Sequence, residues 1–184
     1  MDNGASSYRR FLDGDDSGMV ELIRDYKDGF LLYLNSYTNN YSIAEDCVQD
    51  TFIKLAVKKP KFREKSSFKT WLYTIGRNIA IDYIRKQSRH RTASIDECTE
   101  ISSAEDIEEY FCREEQSIAV HKAVHKLKTE YRQVICLIYF ENFTNTETAA
   151  IMRKTSRQIT NLLYQAKKAL KTELEKEGIT YAGL

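Results

Sequence analysis

The sequence predicts an all-α protein in which two small helical domains are joined by an acidic, flexible linker. Glycine and proline are scarce, at seven and one of 184 residues, whereas a sheet protein would need many more turn residues. Apolar residues recur at helical spacing in several stretches of the chain. Segments of opposite charge alternate along the chain, although its net charge is only +1. A chain of this length has room for two small hydrophobic cores.

The charge pattern divides the chain into three segments. Residues 61–91 contain nine basic and two acidic side chains, and residues 93–118 contain nine acidic side chains and one arginine. Residues 144–176 are basic again, with seven basic and three acidic side chains. Two basic segments on either side of an acidic one indicate two polyanion-binding surfaces and a solvated spacer. Ordinary charged helix faces explain either basic segment alone, but they explain the alternation less well.

The N-terminal segment predicts three helices. The first opens near Asp16 and carries an apolar stripe that ends at the turn-forming Asn39. The second begins near Ser42, with Glu45 three positions later in a capping-box pattern. Pro60 bars any continuation of this second helix. A polar loop after the proline leads into the third helix.

The third helix, from about Phe68 to Arg89, has an unusual flank. Aromatic, amide, carboxylate and guanidinium side chains align beside its apolar stripe, at Trp71, Asn78, Asp82, Arg85 and Arg89. A helix that only packs against a core does not need such a flank. Together with the preceding loop, Phe62–Ser67, the flank is therefore the first candidate functional surface.

The residue types on this surface suit single-stranded nucleic acid. Aromatic rings that stand among basic side chains, here including Phe68 and Tyr73, can stack on unpaired bases. Such stacking contributes about 1–3 kcal/mol of binding free energy per base. Trp71 either does this or packs in the core, and the sequence leaves both roles open. The polar loop and Asn78 are better placed to hold a flipped base through its exposed edge. The predicted contacts are Phe62, Arg63, Lys65, Ser66, Ser67, Lys69, Trp71, Arg77, Asn78 and Arg85.

The stretch that follows is acidic, rich in Ser and Thr, and lacks a sustained apolar period. This composition is typical of disordered or partly helical segments. We predict domains at residues 1–90 and 118–184, with this linker at 91–117. A further hypothesis is that the linker folds over the basic surfaces of the free protein and masks them.

The C-terminal segment predicts a helix-turn-helix motif. Its apolar periods indicate four helices, at about Ile118–Leu127, Tyr131–Glu141, Thr146–Met152 and Ser156–Glu175. The third is short, the turn after it is tight, and Thr155 with Gln158 forms a capping box at the start of the fourth. This arrangement is typical of helix-turn-helix proteins. Helical hairpins in other proteins look similar, so the motif alone does not establish DNA binding.

In such a motif the first turns of the second helix enter the major groove. The residues placed near base edges are Arg157, Gln158, Thr160 and Asn161. Arginine suits guanine, and glutamine or asparagine suits adenine, at about 1–3 kcal/mol of discrimination per bidentate pair. Gln158 has a competing role in the capping box, and both roles remain open. The residues expected at phosphates are Arg153, Lys154, Lys167 and Lys168.

We predict no enzyme, no cofactor and no metal site. His121 and His125 have a spacing that can bind a metal, but no carboxylate or cysteine completes a site. The sequence shows no glycine-rich phosphate loop and no nucleophile elbow. Four widely spaced cysteines argue against zinc and against a secreted disulfide scaffold, which favours a reducing cytoplasm. No apolar run approaches the length of a membrane span.

Four stretches of the sequence carry a resemblance to a known family. In the N-terminal half they are YSIAEDCVQDTFIKL and FREKSSFKTWLYTIGRNIAIDYIRKQSR. In the C-terminal half they are LKTEYRQVICLIYFENFTNTETAAIM and ITNLLYQAKKAL. The first pair is similar to sigma region 2, and the second to region 4, of the extracytoplasmic-function class of sigma-70-type sigma factors. The resemblance implies a region 2-like three-helix domain followed by a region 4-like helix-turn-helix domain.

The resemblance implies partners and residue roles. Asp46, Gln49 and Asp50 would face the coiled coil of the largest subunit of bacterial core RNA polymerase. The loop at 62–67 and Asn78 would capture a flipped base of the −10 promoter element as the duplex opens. The −35 element would be addressed by Arg157, Gln158 and Asn161. Members of the class are commonly held inactive by an anti-sigma factor, so such a partner is implied as well.

The chain departs from the pattern of the class at three positions in its C-terminal half. Arg153 stands in the turn where glycine is usual. Gln165 replaces a usual arginine, which removes one expected phosphate contact. Thr148 stands where isoleucine is common. These departures affect the details of −35 recognition more than the resemblance itself.

Two other functions remain as alternatives. A helix-turn-helix transcriptional regulator, with a sensor or dimerisation module as its N-terminal half, explains the C-terminal half equally well. It leaves the flank at Trp71, Asn78 and Arg85 unexplained, and it would bind duplex DNA without polymerase. A purely structural helical adaptor would lack the steep salt dependence that phosphate contacts produce.

Overall fold

The structure, a computed structural model, describes residues 3–93 and 115–176, and every regular element in these ranges is helical. The N-terminal part contains α1 (Asn3–Leu12), α2 (Ser17–Thr38), α3 (Tyr41–Lys58) and α4 (Phe68–Ala93). The C-terminal part contains α5 (Glu115–His125), α6 (Thr129–Ile135), a π segment (Cys136–Phe140), α7 (Asn145–Met152) and α8 (Ser156–Lys176). The all-α prediction is confirmed. The linker predicted at 91–117 lies almost wholly outside the described residues.

Helix α1 is an addition to the three helices expected in the N-terminal part. Its sequence holds few large apolar residues, so no apolar period predicts this helix. Tertiary packing stabilises it instead. Tyr8 is 1% exposed, and its ring centroid lies 5.5 Å from those of both Phe68 and Trp71 on α4. The Tyr8 hydroxyl donates a 2.8 Å hydrogen bond to the carbonyl of Pro60. Helix α1 therefore covers the start of α4.

The cap of α3 differs from the predicted one. Asn40 is the N-cap, and its Oδ1 accepts a 3.1 Å hydrogen bond from the backbone N–H of Ile43. Ser42 lies inside the helix, so the capping box expected for Ser42 and Glu45 is wrong. Asparagine is among the best N-cap residues, and here it keeps the turn between α2 and α3 short. Asn39 ends α2 in the left-handed conformation, which asparagine tolerates better than most residues.

The core of the N-terminal part is aromatic and forms where α2, α3 and α4 meet. Phe30 of α2 lies 4.9 Å from the Tyr73 ring of α4 and 6.3 Å from the Phe52 ring of α3, between ring centroids. Gly76 permits this approach, because a Cβ there would overlap the Phe30 ring. Phe68 and Leu72 of α4 are fully buried in this core.

The C-terminal part contains the predicted helix-turn-helix at α7 and α8. The buried stripe of α8 is Ile159, Ala166, Leu170 and Leu174, with Leu162 and Leu163 partly buried. Arg153, in the turn, has φ 55° and ψ 46°, the left-handed region that glycine adopts most easily. Thr144 and Glu147 form a full capping box at the start of α7. The helix predicted at 131–141 is divided into α6 and the π segment.

The N-terminal and C-terminal parts pack against each other. Helix α4 lies along α7, and α2 contacts both α6 and the π segment. The Tyr73 ring, which belongs to the N-terminal core, also lies 4.9 Å from the Phe143 ring centroid. Within the described ranges, no helix combines the length and apolarity that a membrane span requires.

Candidate nucleic-acid and protein interfaces

The first turns of α8 form an exposed polar surface. Arg157 and Asn161 are exposed and lie one helical turn apart on the same face. Thr160 is exposed as well, but its hydroxyl donates a 3.1 Å hydrogen bond back to the Ser156 carbonyl. Lys168 continues the exposed face toward the end of the helix. Arg157 and Asn161 are therefore the side chains in this surface that are best placed to reach base edges.

Gln158 acts as a cap in this structure. Its Oε1 accepts a 2.8 Å hydrogen bond from the backbone N–H of Thr155, and its own N–H donates a 3.2 Å bond to the Thr155 hydroxyl. Both bonds of the predicted capping box are present. Of the two roles left open by the sequence, the structure shows capping.

Three residues expected at phosphates have partners within the protein. Lys154 pairs with Glu130 of α6, with 2.8 Å between Nζ and Oε1. The Lys167 ammonium lies 5.3 Å from the ring centroid of Tyr139, a cation–π contact. Arg153 reaches the N-terminal part of the protein, where its Nη2 donates to Asn78. The Lys154–Glu130 ion pair lies at the surface, where such pairs contribute little in water, so Lys154 can exchange it for a phosphate.

The aromatic residues near the loop at 62–67 divide into buried and accessible rings. Phe68 and Tyr73 are both 0% exposed, so the expectation that they form a stacking platform is wrong. Phe62 and Trp71 are partly exposed, with 5.2 Å between their ring centroids. Trp71 also contacts the ring of Tyr8, so it belongs to the edge of the core and still presents part of its surface. The polar loop residues Arg63, Lys65 and Ser66 are exposed.

Asn78 faces the turn of the helix-turn-helix across a polar cleft of about 260 Å³. Arg153 Nη2 donates a 3.0 Å hydrogen bond to Asn78 Oδ1. Arg77 Nη2 lies 3.5 Å from the carbonyl oxygen of Met152, at the end of α7. Arg85 lines the same cleft. The structure thus brings together predicted DNA contacts from both parts of the chain.

The start of α4 binds a carboxylate from α7. The hydroxyls of Ser67 and Thr70 donate hydrogen bonds of 3.1 and 3.2 Å to Glu147 Oε1. Burial raises the pKa of Glu147, but hydrogen bonds from Thr144, Ser67 and Thr70 outweigh this effect and leave the pKa below its ordinary value. Glu147 is therefore held as a carboxylate against the loop that the sequence assigns to nucleic acid.

A second carboxylate, Glu141, lies between α2 and α4. Its side chain is 10% exposed, and its Oε2 lies 2.8 Å from Lys69 Nζ. The Tyr73 hydroxyl donates a 2.5 Å hydrogen bond to the same oxygen, and burial together with this carboxylate raises the pKa of Tyr73 well above its ordinary value. A Cβ on Gly29 of α2 would overlap the carboxylate. Sequence reasoning missed Glu141 and Glu147, because their partners are distant in the chain.

The outer face of α3 presents carboxylates beside exposed apolar side chains. Asp46, Gln49 and Asp50 are all exposed, as a role in protein binding requires. Further along the same face, Ile53 and Val57 are 56% and 69% exposed. Large apolar side chains in open solvent at a polar rim are typical of a protein-binding surface. These five residues are called the α3 face below.

The two histidines of α5, His121 and His125, are partly buried. Within the described part of the chain no group of three His, Cys, Asp or Glu side chains could hold a metal ion. The His121 ring stacks on Phe140, with 5.1 Å between centroids. Burial lowers the pKa of His121, and burial with the nearby Arg132 charge lowers the pKa of His125.

These lowered pKa values predict a loss of stability in mild acid. The folded protein favours the neutral rings. Their full contribution to the free energy of unfolding is therefore present above the ordinary histidine pKa of about 6.5. The free energy of unfolding should fall as the pH drops below that value toward the lowered folded pKa. Urea unfolding at pH 7.5 and 5.5 measures the fall, which should shrink when His121 and His125 are both changed to Gln. An equal fall in that double variant would contradict the prediction.

The fold and these surfaces define a helical DNA-binding protein with a helix-turn-helix and a second basic surface on a separate helix. Comparison with known proteins identifies the family to which this DNA-binding protein belongs. The family Sigma-70 region 2 matches residues 22–90, and the family Sigma-70, region 4 matches residues 117–170. The chain belongs to the sigma-70 family of RNA polymerase sigma factors, and to its extracytoplasmic-function class.

Individual relatives agree with this assignment. The chain is 30% identical to RNA polymerase sigma factor YlaC of Bacillus subtilis over 164 residues, covering 85% of this chain and 91% of the relative. It is 27% identical to ECF RNA polymerase sigma factor SigW of the same organism over 170 residues, covering 88% and 91%. The sigma factor RpoE from Bartonella quintana, solved in complex with the anti-sigma factor NepR, superposes with a TM-score of 0.65. That match has 26% identity and covers 90% of this chain and 98% of RpoE.

The assignment also decides between the alternative functions. A helix-turn-helix regulator left the flank at Trp71, Asn78 and Arg85 unexplained, and the region 2 match covers the helix that carries this flank. The protein is an RNA polymerase sigma factor, a DNA-binding factor of transcription initiation.

Proposed function

We propose that this sigma factor divides promoter recognition and polymerase binding among three surfaces. Residues 1–90 bind core polymerase through the α3 face and the −10 element through α4 and its preceding loop. Residues 118–184 bind the −35 element through the start of α8. Residues 91–117 connect the two domains. The observation that carries the proposal is the exposure of Arg157 and Asn161 on one face of α8, at the place where a recognition helix meets bases.

The contacts with the −10 element centre on Asn78. Its amide can bond the edge of an extruded base, while the exposed Arg63 and Lys65 are available for the backbone. Trp71 and Phe62 supply partly exposed rings near the start of the same helix. Extruding a base costs a few kcal/mol, and hydrogen bonds and stacking of this kind offset that cost.

The α3 face supports the proposed contact with the largest subunit of core polymerase. Asp46 and Asp50 supply negative charge, and Ile53 and Val57 supply apolar surface that binding would remove from water. A partner with basic residues around an apolar centre would match this face. The coiled coil named by the family resemblance is the proposed partner.

Three further properties follow from the proposal. The factor acts in the cytoplasm, where core polymerase and promoter DNA are. It acts by binding rather than by catalysis, so it is not an enzyme and takes no cofactor. An anti-sigma factor regulates it, and the RpoE chain that superposes on this fold was solved with such a partner.

Transcription from a pool of random promoters tests the proposed function. Bacterial core polymerase is supplied with and without this protein, and the start sites are sequenced. The proposal predicts new start sites that share a pair of motifs at −10 and −35. Unchanged start sites, together with protection of a palindromic duplex by the protein alone, would contradict it.

The Arg157→Ala variant is expected to relax the preference for the −35 motif in the same pool. Loss of one bidentate contact to a base should reduce discrimination by roughly tenfold, at about 1–3 kcal/mol per pair. Discrimination is measured as the enrichment ratio of matched over mismatched −35 sequences. Lys171→Ala removes an exposed positive charge further along the same helix and serves as the control. If Lys171→Ala relaxes the motif as much, Arg157 does not read a base.

A further inference from the structure

Helix α1 contacts the connection between α3 and α4, which includes the loop at 62–67. Two residues of this connection, Lys59 and Glu64, have φ angles of 43° and 55°, in the left-handed region where side chains other than glycine are strained. Both side chains contact α1. Lys59 Nζ lies 5.1 Å from the ring centroid of Phe11, and Glu64 Oε1 lies 2.7 Å from Arg9 Nη2. Each strained position of the connection is therefore anchored to α1.

Tyr8 adds a third contact between α1 and this connection. Its hydroxyl donates the 2.8 Å hydrogen bond to the Pro60 carbonyl, and burial raises the pKa of Tyr8 to about 12, so the hydroxyl keeps its proton at neutral pH. The Tyr8 ring packs on Trp71, whose ring centroid lies 5.2 Å from that of Phe62. One side chain of α1 thus supports both the backbone before the loop and the two partly exposed rings beside it.

Helix α1 is itself fixed against α2. A Cβ on Gly18 of α2 would overlap the Ser7 carbonyl oxygen, so the two helices approach each other closely. Ser7 Oγ donates a 2.7 Å hydrogen bond to Glu21 Oε2, and Arg10 Nη2 lies 3.1 Å from the other oxygen of the same carboxylate. A helix held in this way can impose a conformation on the loop that it contacts.

We propose that α1 is a positioning element for −10 recognition, with Tyr8 and Arg9 as positioning residues that hold the loop at 62–67 in the conformation that captures a flipped base. The inference rests on the proposed function, because it concerns the loop assigned there to the −10 element. The match to Sigma-70 region 2 begins at residue 22, so it does not include α1 and assigns it no role. Tyr8 is 1% exposed, so its effect on DNA must pass through the residues that it contacts.

A loop that is held in place before DNA arrives binds more tightly than one that must be ordered on binding. Ordering a flexible segment costs conformational entropy at the moment of association, and a loop already rigid in the bound conformation avoids this cost. Arg63, Lys65 and Ser66 are exposed and add little packing of their own, so the contacts from α1 stabilise the loop. Only a promoter whose flipped base fits the loop gains from this order, so α1 should affect discrimination at the −10 element.

The Tyr8→Phe variant of the full-length protein tests the proposal, because it removes the hydroxyl group and keeps the packed ring. In the promoter pool with core polymerase, the enrichment of matched over mismatched −10 sequences should fall by roughly fivefold, the effect of losing one intramolecular hydrogen bond. The −35 enrichment should not change, because α8 is remote from these contacts. Tyr41→Phe is the matched control, since it removes the hydroxyl of a buried tyrosine at the opposite end of α3.

Trypsin digestion of the free full-length protein measures the order of the loop directly. Lys61, Arg63 and Lys65 are exposed cleavage sites, but cleavage requires local opening of the backbone. Cleavage at these three sites, quantified by mass spectrometry, should rise by roughly fivefold in Tyr8→Phe. It should stay unchanged in Tyr41→Phe.

Exchanging the charges of Arg9 and Glu64 separates a positioning role from direct contact with DNA. Arg9→Glu should lower the −10 enrichment by roughly threefold, the size of effect expected for an exposed ion pair. Adding Glu64→Arg to the same protein should restore the enrichment, because the ion pair forms again with its charges exchanged. If Arg9 contacted a phosphate instead, Arg9→Glu would weaken binding to matched and mismatched sequences alike, and the second change would not restore it.

The positioning proposal is overturned if Tyr8→Phe and Arg9→Glu are folded by circular dichroism yet keep the −10 enrichment of the unaltered protein. It is also overturned if the −10 and −35 enrichments fall together, as general destabilisation would cause. Failure of the unaltered protein to direct core polymerase in the promoter pool, with increased cleavage of the Tyr8→Phe loop, would instead overturn the proposed function.

Discussion

Core RNA polymerase is expected to bind the Asp50→Arg variant at least about a hundredfold more weakly than the unaltered protein. Asp50 is exposed in the middle of the α3 face, between Asp46 and the exposed Ile53. Reversing its charge places like charges opposite each other in an interface, and disrupting a buried charge pair costs about 2–5 kcal/mol. Anisotropy of the labelled protein titrated with core polymerase measures the change.

The matched control for this variant is Asp13→Arg. Asp13 is exposed in the turn between α1 and α2, so the change in net charge is the same and the α3 face is intact. Its affinity for core polymerase should stay within about twofold, because a single remote surface charge is screened by salt. An equal loss in the two variants would show that net charge, rather than the α3 face, determines binding. Unchanged binding of Asp50→Arg would remove Asp50 from the interface.

The features that could be predicted from the sequence are those with local signals. The capping box of Thr155 and Gln158 is complete within four residues, and both its bonds are present. The buried stripe of α8 follows from a single helical period. Helix α1 gives no such signal, because its position depends on contacts such as the Tyr8–Pro60 hydrogen bond, which spans 52 residues. For α3, the cap is Asn40 rather than the predicted Ser42, because the Asn40 side chain accepts the backbone N–H of Ile43.

The partners of the candidate site residues could not be predicted, for the same reason. Asn78 and Arg153 are 75 residues apart, and nothing near either one indicates the other. Gly29 is a locally unfavourable residue in the interior of a helix, and only the Glu141 carboxylate explains it. The masking role suggested for the acidic linker concerns residues outside the described ones, so it stays a hypothesis. Within the described residues, Glu147 and Glu141 of the C-terminal part contact the start of α4.

The Asn78→Ala variant is expected to reduce discrimination at the −10 element by tenfold or more in the presence of core polymerase. The amide would no longer bond the edge of the flipped base, and each such contact is worth about 1–3 kcal/mol. The promoter pool measures the loss as the enrichment of matched over mismatched −10 sequences. The same substitution removes the acceptor for Arg153, so the free protein should become less compact at the same time.

Asn78→Asp separates these two effects. Aspartate keeps an acceptor for Arg153 and adds a charge that strengthens the bond, but it loses the amide donor that a base edge needs. This variant should therefore lose −10 discrimination as the alanine variant does, yet remain as compact as the unaltered protein by X-ray scattering. If both variants are equally compact, the Arg153 contact does not contribute to closure. If both keep −10 discrimination, a different residue holds the base.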